Sequence, residues 1–371
     1  MTKKEAFLMA VRGEQPDVVP VAPLIYGRFA NKLLGRGDWK AIFDVHQMIG
    51  SCYHRGPLGI DIPVSLPEGY AYEIGESRPR AAGGVEYDVT VRTPGRTMMG
   101  KGACGMIPDD PLVGKMTEYP IKDRDDWLAY KNLLEQHIAG AGEADFTEVN
   151  EALELMGDDG MAGVGMVCAY AILGNNRSMQ GLMLDLFDEP ELMGELFELE
   201  RVRLARQVDA FLASRTELAW LDICWATGSQ LSPAWMARWV LPDIVMMMEK
   251  VRRTPGKYAG LYTLGPIREY LPMFADAGVH FVETFEPNQG NITLGEAKKL
   301  YGKRFCLMGN FDCVVLAFGG MDDARKEARR CLEEGMAGGG YVLATADEVP
   351  ANARLDNLKA MVETVHQFGR Y

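Results

Sequence analysis

Side chains that hold or move protons gather near the ends of short apolar runs in the second half of this 371-residue chain. Asp222 and Cys224 close the run that contains Trp220. His280, Glu283 and Glu286 lie at or after another run, and Asp347 and Glu348 follow a third. Carboxylates and imidazole do two kinds of chemistry. Tuned by burial, they act as general acids and bases. Deprotonated and brought together, they hold a divalent ion such as zinc. His46, His54 and His137 fall in predicted helices or at their ends, and His366 lies near the C-terminal end. These four read as packing or surface residues, which leaves His280 as the one histidine close to a strand end. The glycines Gly335, Gly338, Gly339 and Gly340 lie between a helix and a strand. A phosphate loop needs the opposite order, so they read as a helix stop and tight turn.

The elements that must position these groups follow from periodicity. Apolar strand candidates sit near 17–23 and 58–64, then near 161–167, 218–224, 258–262, 279–283, 305–309 and 340–345. Amphipathic helices are expected near 3–13 and 40–56, and between most of the later strands, as in 189–213 and 234–253. Alternating strands and helices imply parallel crossovers. Eight such units close a (β/α)8 barrel, although an open doubly wound sheet gives similar alternation. A carboxylate at the C-terminal end of a barrel strand, as at Asp222, reads as catalytic; its bland alternative is a cap for the following loop. Residues 70–94 alternate about Gly83 and Gly84 and predict a β-hairpin inserted on one rim. Residues 104–124, with Pro108, Pro111, Gly114 and Pro120, read as turn-rich. No linker divides the chain, so one domain over 1–371 is expected.

The net charge of -13 and pI near 5.0 disfavour a nucleic-acid partner, which calls for a basic patch. Seven cysteines, odd in number and without a Cys-x-x-Cys pair, fit reduced thiols in a cytosol. The opening residues lack the apolar core of a signal peptide, and no apolar run is long enough to span a membrane. A cytoplasmic protein is the expectation, with a homodimer as the base-rate assembly.

Several stretches resemble the uroporphyrinogen decarboxylase superfamily, in its methyltransferase-like branch. They are KKEAFLMAVRGEQPDVVP (3–20), EYPIKDRDDW (118–127), LDLFDEPE (184–191) after Leu173 and Gly174, Leu231 to Pro242, LMGNFD (307–312), and GYVLA (340–344) with NLKAM (357–361). Their order covers nearly the whole chain and implies the barrel rather than the open sheet. The resemblance implies one of two chemistries. One is methyl transfer between a small substrate and a corrinoid carried by a partner protein, often with zinc. The other is cofactor-free decarboxylation in porphyrin biosynthesis. Zinc-dependent members carry His-x-Cys-Gly after the fifth strand and a cysteine after the eighth. Here Tyr262, Leu264 and Asp347 stand at those three positions. A thiol-activating zinc site is therefore not expected. Either Tyr262 and Asp347 serve the substrate directly, or a harder site of His280, Glu283 and Asp347 holds the metal. Both readings suit O-demethylation of a methyl ether, whose departing oxygen needs a proton or a Lewis acid. The family's carboxylate-gripping arginine is matched by Arg28 in IYGRF (25–29), and its catalytic aspartate by Asp61. The expected catalytic set is thus Asp222, Tyr262 and Asp347, with Arg28 and Asp61 binding substrate. A decarboxylase is the alternative, and a barrel that only binds a ligand is the third reading.

Overall fold

The structure, a computed structural model, describes residues 1–107 and 114–371. Pro108 and Pro111, two markers of the turn-rich stretch, lie outside the described residues. Twelve strands occur among the described residues: β1 (Tyr53–Arg55), β2 (Ala71–Ile74), β3 (Arg78–Pro79), β4 (Val85–Thr93), β5 (Arg96–Cys104), β6 (Gly114–Glu118), β7 (Gly160–Val167), β8 (Leu218–Asp222), β9 (Tyr258–Tyr262), β10 (Phe281–Phe285), β11 (Cys306–Phe311) and β12 (Tyr341–Thr345). The chain forms two compact units.

The first unit comprises Met1–Ile60, Phe146–Met166 and Val208–Tyr371. Its sheet runs β1-β7-β8-β9-β10-β11-β12. The β1/β7, β8/β9, β9/β10, β10/β11 and β11/β12 pairings are parallel. Helices such as Leu241–Val251, Leu294–Tyr301 and Met321–Gly335 intervene between successive strands, as the alternation predicts. Side chains alternate across a strand, so every second residue joins one buried face. Trp220, Tyr262, Phe281, Met308, Val342 and Ala344 share one buried cluster with Ala22, Leu24 and Met161. Gly165 belongs to this face because of space: a Cβ there would lie 2.4 Å from the Trp220 ring.

The expected strand at 58–64 is corrected. Asp38 caps the helix Trp39–Ile49 at its N-terminus, and Gly50, at φ 77°, ends it. The chain is therefore extended before 56, and the strand forms at Tyr53–Arg55, fully buried. The first strand candidate makes only an isolated bridge, Val21 to Leu343. Its backbone nevertheless meets both edge strands' neighbourhoods. Ala22 N–H donates to Leu343 (2.9 Å), and Cys52 N–H donates to the Val21 carbonyl (2.8 Å).

The second unit comprises Asp61–Asp145 and Val167–Gln207. The expected hairpin is present, with β2 antiparallel to β4 from Ala71↔Arg92 to Ile74↔Val89. It is part of a larger sheet, ordered β2-β4-β5-β6 with β3 on β4. Asp123 caps the helix Arg124–Ala139, and Arg96 binds both Asp123 (2.9 Å) and Asp126 (2.6 Å). No helix is long and apolar enough to cross a membrane among the described residues.

Burial lowers the pKa of His46, His137 and His280. A histidine held neutral in the fold binds its proton more readily when unfolded. Its contribution is therefore complete above about pH 6.5 and is lost as pH falls below that value. The urea midpoint should be lower at pH 5.5 than at pH 7.5, with an acid slope reduced in a His46→Asn protein.

Candidate active site

The site in the first unit is built around Arg55. The side chain is 1% exposed. Its guanidinium carbon lies 4.1 Å from the Trp220 ring centre, 4.2 Å from that of Tyr262 and 5.7 Å from that of Tyr26. Guanidinium planes stack on aromatic faces, so the rings cover the flat surfaces and leave the rim for hydrogen bonding. On one side of that rim, Nε stands 3.0 Å from Glu283 Oε2. This is a charge contact without an aligned hydrogen bond, and Nη1 and Nη2 have no hydrogen-bond partner among the described residues.

Glu283 is fully buried. Its other oxygen meets His54 Nε2 at 2.5 Å. Burial alone would raise its pKa, but Arg55 and His54 together hold it below the usual carboxylate range. His54 and Arg55 are adjacent, and in a regular strand they would face opposite ways. The register of β1 against β7 shifts between Tyr53 and Arg55, and both side chains reach Glu283. Across the sheet, β10 carries a matching irregularity: Glu283 pairs with Met308 and Phe285 with Gly309, so Thr284 is the extra residue of a bulge. Thr284 has φ 56°, an outlier for a β-branched residue, and its hydroxyl donates to the Glu283 and Thr263 carbonyls.

A second group lies at the strand ends. Tyr262, the last residue of β9, donates its hydroxyl to Asp347 Oδ1 at 2.9 Å. Asp347 Oδ1 also accepts from the Glu348 N–H (2.7 Å), and the Cys313 thiol donates to the Asp347 carbonyl (3.2 Å). Burial pushes that thiol's pKa up to about 12. Burial, then the charge of Asp347, raises the Tyr262 pKa far above its ordinary value. Glu286 accepts from the Gly265 N–H. Burial raises its carboxyl pKa, the backbone donor opposes the rise and Asp347 adds to it.

The structure brings some expected residues together and separates others. Tyr262 and Asp347 form one pair. Asp222 accepts from the Cys224 N–H (2.9 Å), the loop cap of the bland reading, while its charge also acts on Tyr26 and Arg55. Arg28 pairs with Glu348 at 2.6 Å. Asp61 is exposed, in the second unit, bridged to Asp145. The suggested metal set of His280, Glu283 and Asp347 does not converge. His280 Nδ1 accepts from the Ala259 N–H, Glu283 is held by Arg55 and His54, and Asp347 is held by Tyr262. No group of three or more His, Cys, Asp or Glu fit for a metal ion occurs among the described residues. Arg55 escaped sequence reasoning because the helix was extended through it, and His54 was read as packing for the same reason. The punctuation was there: Gly50 stops a helix, and Gly56 with Pro57 starts a turn.

A parallel α/β sheet with a buried charge cluster on its inner face, and a tyrosine and acids at the C-terminal ends of its strands, defines a TIM-barrel-like enzyme. The chain belongs to the uroporphyrinogen decarboxylase (URO-D) family, whose model matches residues 147–368. Similar curated proteins include the uroporphyrinogen decarboxylase of Methylococcus capsulatus, 25% identical over 196 residues, 53% of this chain and 54% of that one. The same-named protein of Anaeromyxobacter dehalogenans is 24% identical over 204 residues, 55% of this chain and 56% of that one. The chain thus spans about half the length of the curated relatives it matches. Among solved structures, a methyltransferase from Methanosarcina mazei superposes with a TM-score of 0.67 at 18% identity, covering 99% of both chains.

Removing one member of a buried ion pair strands the other charge at a cost of about 3–5 kcal/mol. Glu283→Gln should lower stability by that order in urea titration. Gly165→Ala, which drives a methyl group into Trp220, should cost about 1–3 kcal/mol by overpacking and shift tryptophan fluorescence.

Proposed function

We propose that this chain is a methyltransferase that removes the methyl group of a small methyl ether and passes it to a corrinoid carried by a partner protein. The hydrogen-bonded Tyr262–Asp347 pair carries this reading. In the family resemblance it occupies two zinc-ligand positions, those of the histidine and the later cysteine, and places a phenol and a carboxylate there. The likeness in fold to a methyltransferase supports it. In this reading the extended segment through Val21 acts as the eighth strand and closes a (β/α)8 barrel, supported by its hydrogen bonds to Leu343 and Cys52.

The corrinoid is the acceptor and supplies the electron pair of the new bond to carbon. As the ether C–O bond breaks, its own pair stays on oxygen, and this chain must neutralise that oxygen. Tyr262 orients it by turning its one hydroxyl proton from Asp347 to that oxygen, and a phenol with so high a pKa keeps this proton. Glu286 is the better proton source, because burial and Asp347 hold its carboxyl protonated to higher pH than an ordinary glutamate. No step is routed through zinc, because the candidate ligands are engaged apart from one another.

With an aryl methyl ether and a reduced corrinoid protein, Tyr262→Phe and Asp347→Ala should each lower phenol release by about 100-fold or more. Full activity in both variants would end the proposal. The rate should fall as pH rises through a limb displaced above the usual carboxyl range, and Glu286→Gln should remove that limb. About one zinc per chain by elemental mass spectrometry would replace the proton with a Lewis acid.

A decarboxylase is the second reading, favoured by the names of the curated relatives. Release of coproporphyrinogen from uroporphyrinogen would establish it. Failure of both assays would favour a barrel that only binds a ligand.

A further inference from the structure

We propose that Arg55 anchors the substrate by a carboxylate, so that the methyl donor is an organic acid; this rests on the methyl-transfer reading for the identity of the substrate, not for the existence of the site. The observation is a buried guanidinium whose rim is incompletely used. Trp220 and Tyr262 cover its faces, and Glu283 meets only Nε. Nη1 and Nη2 are buried and without a hydrogen-bond partner among the described residues.

The carboxylates nearby are engaged elsewhere. Glu283 Oε1 is taken by His54, Asp347 by Tyr262, Glu348 by Arg28, Asp222 by the Cys224 N–H and Glu286 by the Gly265 N–H. A buried donor left unpaired costs free energy, more so on a charged group. The two terminal nitrogens of a guanidinium form a fork that matches the two oxygens of one carboxylate. A phosphate dianion would call for a second cation, and Arg28 is already paired with Glu348. Arg28 holds the position of the carboxylate-gripping arginine in the resemblance above. In this chain that role passes from the helix Gly27–Leu34 to the end of β1.

The test is calorimetric titration of the intact protein with benzoate, benzamide and inorganic phosphate. Benzoate should bind at least about tenfold more tightly than benzamide, the worth of a hydrogen bond to a charged group. Arg55→Lys, which keeps the charge and loses the fork, should abolish that preference. Equal binding of benzoate and benzamide, or no binding of either, overturns the proposal. So does tighter binding of phosphate than of benzoate. The comparison of ligands on the unaltered protein decides the matter even where Arg55→Lys fails to fold. Binding is read without turnover, so the two readings fail separately. Benzoate bound through Arg55 with no methyl transfer sinks only the preceding reading. Methyl transfer from neutral ethers as fast as from acidic ones sinks only this one.

Discussion

A buried guanidinium among the strands of a sheet constrains everything placed around it. Arg55 cannot shed its charge, and its solvation must be replaced by the protein. The replacement comes in two forms: three aromatic rings over its surfaces and the carboxylate of Glu283 at its edge. Each demands something of the fold. Trp220 needs the room that Gly165 leaves. Glu283 needs its own second partner, which His54 provides. Two adjacent residues of β1 can both reach one acid only where the strand is irregular, and the acid is presented beside a bulge. The departures from ideal strand geometry at β1 and β10 thus lie on either side of the same ion pair.

Much of this was legible in the sequence, and the exceptions have physical causes. The strands β7 to β12 announce themselves as apolar runs separated by amphipathic helices, because a strand covered on both faces is apolar throughout. The strand β1 does not, since Tyr53, His54 and Arg55 are polar or aromatic residues, buried with His54 and Arg55 paired to Glu283 and Tyr53 packed against Phe43 and His46. Hydrophobicity locates a strand that is buried by solvent exclusion. It misses one that is buried by charge compensation. The Tyr262–Asp347 pair was reachable because both residues stand at strand ends and at family positions. Asp61 was expected within the strand at 58–64; with the strand at 53–55, it makes instead an isolated bridge to Asp145.

The residues at the ends of β9 and β12 form a connected arrangement. The Tyr262 phenol donates to the Asp347 carboxylate, which also accepts from the Glu348 N–H, while the Cys313 thiol holds the Asp347 main-chain carbonyl. The Arg28–Glu348 pair lies next in sequence, so the loop after β12 is tied to the segment after Ile25 at one residue and to β9 at another. The strand ends are thereby fastened by side chains where backbone pairing stops.

The segment before residue 26 gives the molecule a particular assembly history. The Leu24 N–H donates to the Thr345 hydroxyl across 321 residues of chain. Contacts this distant are slow to form, since the intervening chain must first be ordered. During synthesis residues 17–25 emerge long before β12 and must wait for it. Arg28 follows directly, and its partner Glu348 likewise emerges only after β12. The Arg28–Glu348 pair is consequently completed only after β12 has been synthesised.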